Sequence, residues 1–413
     1  MLLERAAAAV SLLLMGACGV QLLARLTRVL RGQERADGLA NPPAHAPVRQ
    51  MLAAAGLALV TRLAIYALAY AMYRLNGGGD GFLASIEPLW THWDTRHYTG
   101  IALEGYTNVG DERLRLVFFP LYPALMRLLS VFTGGNVFFS GLLISLVCAS
   151  AASALLVDLA AMHYGREAAA RSAAYFLLSP LSVFLCCAYT ESLFICLTLA
   201  AVCLLRRGHP WLAALCGMLS ALTRMPGVIV AGLMIIALLG RRRRTMRDVL
   251  ACAGQVLIVF CGLFLYWGIN AAVTGDPMTY MVYQRENWFQ EPGTFWGSTS
   301  TTMHYFLTTM GDGDWLYTWG FQLACMLGVY LLLALRAGDL PFDLAAYSFV
   351  YVAVVLSPTW LLSAPRYLYA LCALPLMLAR LPVGRRGHAV LLGVSALLLV
   401  MWTYGYAIAV EVL

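Results

Sequence analysis

The sequence predicts an all-α, polytopic membrane protein. Three observations carry that prediction. The 413 residues are 61% apolar and only 12% charged, with a mean hydropathy of +0.74, whereas a water-soluble domain is about one quarter charged. The apolar residues fall in long continuous runs such as Val249–Val273, matching the roughly 20 residues a helix needs to cross a ~30 Å hydrocarbon layer. The runs show no period-2 alternation, so of the two architectures that satisfy backbone polar groups in lipid, helices are selected over a closed barrel.

The first run, about residues 6–26, is too long for a signal peptide core and has no small-x-small cleavage site before the arginines that follow. It reads as a membrane helix. Residues 1–50 then form an additional N-terminal helix plus an Arg-rich linker interrupted by Asn41-Pro42-Pro43, and 51–413 form the main membrane domain. Further apolar runs lie at about 51–73, 137–160, 172–188, 190–205, 211–224, 226–240, 248–273, 316–335, 343–363, 366–381 and 388–410. Together with the first they predict about 12 membrane helices, several of them short, tilted or broken.

All 28 basic residues are arginine and the net charge is +7. The arginines sit between apolar runs, so the positive-inside rule explains them and nucleic-acid binding does not. With 51–73 running from inside to outside, Arg25, Arg28, Arg31, Arg35, Arg49, Arg166, Arg171, Arg206, Arg207, Arg241–Arg244, Arg247, Arg336, Arg380, Arg385 and Arg386 share the inner side. Only Arg74, Arg96, Arg113, Arg115, Arg127 and Arg285 fall outside. The arrangement requires that Val117–Phe132, although apolar, be a re-entrant or interfacial helix. Two long outer loops result, 74–136 and 274–315, rich in Trp, Tyr and acidic residues and too long for simple connectors. The 11 cysteines lie in apolar runs without CxxC or zinc spacing and form no disulfide framework.

The polar motifs carry the chemistry. Trp90-Thr-His-Trp-Asp-Thr-Arg-His-Tyr98 follows a predicted span and places Asp94 among His92, Trp93, His97 and Tyr98. A carboxylate at the water–lipid boundary can serve as a general base; an interfacial aromatic belt with a solvated Asp fits the spacing equally well. Phe118-Phe-Pro-Leu-Tyr-Pro123 suits the start of a short helix. Glu191, between two apolar runs, faces a cavity or partner, or else lies in the first turn of a helix capped by Thr190. Arg224, before Met225-Pro-Gly227, and Arg366, after Pro365, stand at outer helix ends. Each either snorkels or directs a guanidinium fork at an anion such as phosphate.

These motifs, His92-Trp93-Asp94, Ala102-Leu-Glu-Gly-Tyr106, Phe118–Pro123, Ser179-Pro180, Tyr189-Thr-Glu-Ser192, Thr223-Arg224 and Pro365-Arg366-Tyr367, occur in an order over about residues 50–385 that resembles the PIG-V-like mannosyltransferases. The resemblance implies the GT-C membrane glycosyltransferase fold, a polyprenyl- or dolichyl-phosphate sugar donor, a lipid or glycan hydroxyl acceptor, and Asp94 as the catalytic base in the first outer loop. His92, Trp93, His97, Tyr98, Glu104, Tyr106, Tyr122, Tyr189, Glu191, Arg224, Arg366 and Tyr367 are the candidate donor- and substrate-binding residues. The expected activity is inverting transfer of a sugar, mannose first, at the extracytoplasmic face of a bacterial plasma membrane, with surrounding lipids as partners. No cofactor is expected, although Asp94 with His92 and His97 leaves a divalent metal open. The alternative from another class is a transporter or flippase of lipid-linked sugars; the repeated halves of many transporters are not evident here.

Overall fold

The computed structural model describes residues 1–39, 45–312 and 315–407; Asn41-Pro42-Pro43 and Asp314 of the second outer loop lie outside them. The elements are α1 (Leu2–Leu30), α2 (Val48–Leu75), α3 (Phe82–Trp90), α4 (Asp94–Glu104), α5 (Leu121–Ser130), α6 (Val137–Leu178), α7 (Glu191–Arg206), α8 (Pro210–Ala221), α9 (Val230–Leu239), α10 (Met246–Thr274), α11 (Thr279–Trp288), α12 (Phe295–Thr308), α13 (Phe321–Arg336), α14 (Phe342–Val355), α15 (Ala364–Tyr369), α16 (Leu374–Ala379) and α17 (Arg385–Ala407). The protein is an integral membrane protein. Among the described residues six helical stretches are long and apolar enough to span: α1, α2, α6, α10, α17 and Trp315–Asp339, which contains α13.

Several of the remaining apolar runs are short or broken by irregular chain, as the sequence predicts, and the reason is local. The 42-residue α6 bends at Gly165, whose φ of 79° is a conformation glycine adopts without steric cost. Helix then stops at Leu178, because Ser179-Pro180 starts a 3-10 turn, Pro180–Leu185, and regular helix resumes only at Glu191. The expected span at 172–188 is therefore half helix and half irregular chain. Likewise a 3-10 turn, Met225–Ile229, precedes α9, and 366–381 divides into the six-residue α15 and α16, each with a proline in its first turn. Val117–Phe132 holds only the ten-residue α5, about 15 Å long and too short to cross. Its backbone ties down instead, Leu121 N–H donating to Leu222 O at 3.1 Å.

The arginine-rich connections gather at one end of the bundle. Arg25 donates to the carbonyls of Ala337 (2.8 Å) and Leu340 (2.9 Å), Arg206 grips Asp343 through both terminal nitrogens (2.5 and 2.8 Å), Arg207 meets Asp158 at 2.7 Å, and Arg336 meets Asp339 at 2.5 Å. Segments 25–34, 158, 206–207 and 336–343 thus share an end. At its other end α1 places Glu4 3.0 Å from His304 of α12. This first helix is packed into the bundle: Met15, Cys18 and Leu22 are buried, and Gln21 donates to Ala334 O at 3.0 Å.

Non-helical chain at membrane depth requires partners for its carbonyls, since lipid offers none. The segment from Phe176 to Tyr189 finds them on α2, α6 and α15. Arg62, fully buried in the middle of α2, donates to Leu177 O at 2.7 Å and to Ser182 O. One turn on, Tyr66 donates to Cys186 O at 2.5 Å. Ser145 donates to Cys187 O at 2.7 Å, and Tyr369 to Phe176 O at 2.8 Å. Arg62 is therefore a backbone clamp without a carboxylate partner among the described residues. Arg62→Leu removes a buried cation and strands two carbonyls, each unsatisfied group costing about 1–3 kcal/mol; we expect a net loss of stability of about 2 kcal/mol, read as a lower melting temperature in detergent, with Arg62→Lys less affected.

Candidate active site

That clamped segment delivers Phe184 and Tyr189 to a cavity of about 440 Å³ at the end of the bundle opposite the arginine-rich connections, and leads into Glu191 at the start of α7. Asp94 and Tyr98 of α4 line one wall, Arg224 and Arg366 line the depth, and Gln284, Trp288 and Phe289 of the 274–315 loop lie across from Phe118. The two long loops, 74–136 and 274–315, meet here, with Trp288 6.1 Å from Phe118 and 6.2 Å from His97 between ring centroids.

The cavity holds a four-membered charge cluster. Arg366 Nη2 donates to Asp94 Oδ2 at 2.5 Å, and its Nε lies 2.7 Å from Glu191 Oε1 without hydrogen-bond alignment. Arg224 Nη1 donates to the same Glu191 oxygen at 2.6 Å. The cluster balances two carboxylates against two guanidinium groups, as an ion set withdrawn from water must. Glu191 is fully buried. Asp94 keeps 22% of its side-chain surface exposed. The guanidinium carbons also lie over aromatic faces, Arg366 at 4.9 Å from Tyr189 and Arg224 at 5.1 Å from Tyr367, which compensates part of their desolvation.

The backbone beside the cluster is unusual on both sides. Trp93, immediately before Asp94, has φ 42° and ψ −114°, and Phe289, at the end of α11, has φ 53°. Both are non-glycine residues at positive φ, a conformation that persists where the surroundings impose it and that clusters at functional sites. At Trp93 it turns the chain out of α3 and starts α4 with Asp94 on the cavity.

The structure brings Asp94, Trp93, Tyr98, Tyr189, Arg224, Arg366 and Tyr367 together around this cavity, with Glu191 behind the two arginines. It sets the other candidates elsewhere. Glu104 is largely exposed and paired with Arg115 at 2.5 Å. Tyr106 donates to Phe118 O at 2.7 Å, holding the strand of chain that carries Phe118. Tyr122 is buried behind Tyr98 and bonded to Gly141 O at 2.8 Å. His92 packs against Trp93 and Tyr406, and its backbone carbonyl accepts from Tyr189 OH at 3.2 Å. His97 stacks on Phe118 at 4.5 Å. Burial, reinforced by Arg96, holds the His92 imidazole below the usual range. Burial first, and Arg115 as well, lower His97 in spite of the nearby Asp94. Both rings are thus neutral at pH 7, and the fixed positive charge of the cavity resides on the arginines. Sequence reasoning missed Phe184 and the lining from Gln284 to Phe289; the Trp- and Tyr-rich composition of the second loop was the signal available.

Fold and cavity together define a polytopic, all-helical membrane protein whose one end carries a charged, aromatic-lined chamber. Residues 84–284 match the family model described as Mannosyltransferase (PIG-V), a stretch that contains Asp94, Glu191 and Arg224. It is 29% identical over 171 residues to the GPI alpha-1,6-mannosyltransferase 2 of Mus musculus, covering 39% of this chain and 34% of that protein. It is 30% identical over 155 residues to the protein of the same name in Homo sapiens, covering 35% of this chain and 31% of that protein. The chain thus spans about one third of the length of the curated relatives it matches. No solved structure matches it.

Proposed function

We propose that the chain transfers mannose from a polyprenyl-phosphate carrier to a hydroxyl of a lipid or glycan acceptor, with inversion. The observation that carries this reading is the Asp94–Arg366–Glu191–Arg224 cluster at the head of an aromatic cavity. The family description and the relatives' names favour mannose. In the proposed step Asp94 takes the acceptor's hydroxyl proton as the acceptor oxygen attacks the anomeric carbon. The bond from that carbon to the phosphate oxygen breaks, and its electron pair leaves with the phosphate. One displacement from the face opposite the phosphate inverts the anomeric centre. Arg224 and Arg366 stand where negative charge grows on the departing phosphate, and preorganised charge of this kind is among the largest contributions to catalysis. The arginines supply the positive charge, and the reading invokes no metal.

The test is mannosyl transfer by purified protein in liposomes supplied with polyprenyl-phosphate mannose and membrane acceptor lipids. Labelled acceptor product with release of polyprenyl phosphate is expected; labelled donor moved across the bilayer without cleavage would instead mark a lipid transporter. Arg366→Lys keeps a charge and loses the planar fork, so the donor KM should rise about tenfold, as expected for losing a charge-assisted contact of roughly 1.5 kcal/mol. An unchanged KM would make Arg366 only the anchor of α15.

The cavity end is proposed to face outside, since the arginine-rich end should be cytoplasmic. In a protein freed of its native cysteines, a membrane-impermeant thiol reagent applied to intact cells should label Trp288→Cys and leave Arg243→Cys unlabelled. The reverse pattern would invert the assignment.

A further inference from the structure

Arg366 has two anions to serve. Its Nη2 holds Asp94 at 2.5 Å, yet in the reading above, on which this inference rests, the same guanidinium binds the donor phosphate. Its Nε side is already turned to Glu191, at 2.7 Å from Oε1, and its face is occupied by Tyr189, Phe184 and Tyr367 at 4.9, 5.6 and 5.8 Å from the guanidinium carbon. A phosphate held by two parallel bonds on the Nη1–Nη2 edge must therefore claim Nη2 from Asp94. The two carboxylates are not held equally. Glu191 is fully buried and ties Arg224 as well as Arg366, so it stays. Asp94 is the most exposed member, on the first residue of α4, and lines the cavity.

We propose that the donor phosphate releases the base: Arg366 exchanges Asp94 for the phosphate when the lipid donor enters, so that Asp94 becomes free to take the acceptor's proton only in a donor-loaded site. A phosphate with several oxygens satisfies a guanidinium fork in a bidentate manner, whereas Asp94 engages it through one oxygen. Glu191 keeps both arginines aimed during the exchange. Binding is then ordered, donor before acceptor, and the Asp94–Arg366 pair reduces donor affinity by the fraction of time it is closed.

The experiment measures binding of undecaprenyl phosphate, which carries no sugar and cannot turn over, to the full chain in nanodiscs. The proteins compared are the wild type, Asp94→Asn, Arg366→Gln and the double variant, with Asp94→Ala in place of Asp94→Asn if the latter is not monodisperse. Asp94→Asn should bind about fivefold more tightly than the wild type, the closing ion pair being weakened to a neutral hydrogen bond, and the gain should vanish in the Arg366→Gln background. An equal gain in both backgrounds would mean simple repulsion between Asp94 and the lipid phosphate and would overturn the exchange. So would an unchanged or weaker affinity in Asp94→Asn. Failure of the wild type to bind the lipid phosphate would remove the donor reading itself and the exchange with it. Loss of turnover in Asp94→Asn with unaltered lipid affinity would leave Asp94 as base and refute only its release by phosphate.

Discussion

Asp94→Asn is expected to lower mannosyl transfer by about 10²–10⁴-fold, the usual consequence of removing a positioned general base. The substitution keeps the size of the side chain and its ability to accept a hydrogen bond from Arg366, while removing the atom that takes the proton. Arg366 remains neutralised by Glu191 at 2.7 Å, and Asp94 is partly exposed, so little stability should be lost; a melting temperature within a few degrees of the wild type is the control. The backbone adds a reason for position to matter. Trp93 at φ 42° turns the chain so that the first residue of α4 enters the cavity, and Asp94→Glu, longer by one methylene, should recover only part of the rate. Turnover of Asp94→Asn within a few-fold of the parent at equal expression would end its assignment as base.

The second large effect falls on Glu191. It is fully buried and is the shared partner of Arg224 at 2.6 Å and Arg366 at 2.7 Å. Glu191→Leu leaves Arg224 without a carboxylate among the described residues, and removing one partner of a buried ion set costs about 3–5 kcal/mol. The protein should melt at a markedly lower temperature and lose transfer activity. A compensating change separates the two losses. Glu191→Leu with Arg224→Met replaces the inner pair by apolar groups of similar volume, which is often neutral for stability. Arg366 keeps Asp94 in that background, so the melting temperature should largely return while transfer does not. Recovery of both would show that the inner pair is architecture alone; recovery of neither would mean that the arginines do not depend on Glu191 in the way the distances imply.

The individual motifs of the candidate site were legible in sequence because each is a local anomaly: a polar run after a span at 90–98, an acid between apolar runs at 191, an arginine beside proline at 366 and another two residues before one at 224. The apolar runs were less legible as spans. Hydropathy counts carbon and is blind to the stops imposed by Ser179-Pro180, Pro226 and Pro375, so about twelve expected spans became six long helices with shorter and irregular pieces between. Arg62 escaped because a lone arginine within an apolar run gives no indication of what it meets. Its partners are backbone carbonyls 115 and 120 residues away, and carbonyls leave no compositional trace.

By itself the sequence determined that the chain is helical and lies in a membrane, since 12% charge and apolar runs of spanning length admit no other solvent. It also determined that the arginine-bearing connections share an end, because charged loops segregate along the chain in step with successive crossings. Only the tertiary structure decided which polar groups act together. Asp94 and Arg366 stand 272 positions apart and meet through hydrogen-bond contact, while Glu104 and Tyr106, close to Asp94 in sequence, turn to the surface and to the backbone of Phe118. The physical reason is that a charge removed from water must find its opposite wherever packing places it. That choice is made by the crossing of α4, α7 and α15 with the loop before α9, and no local pattern of residues records it.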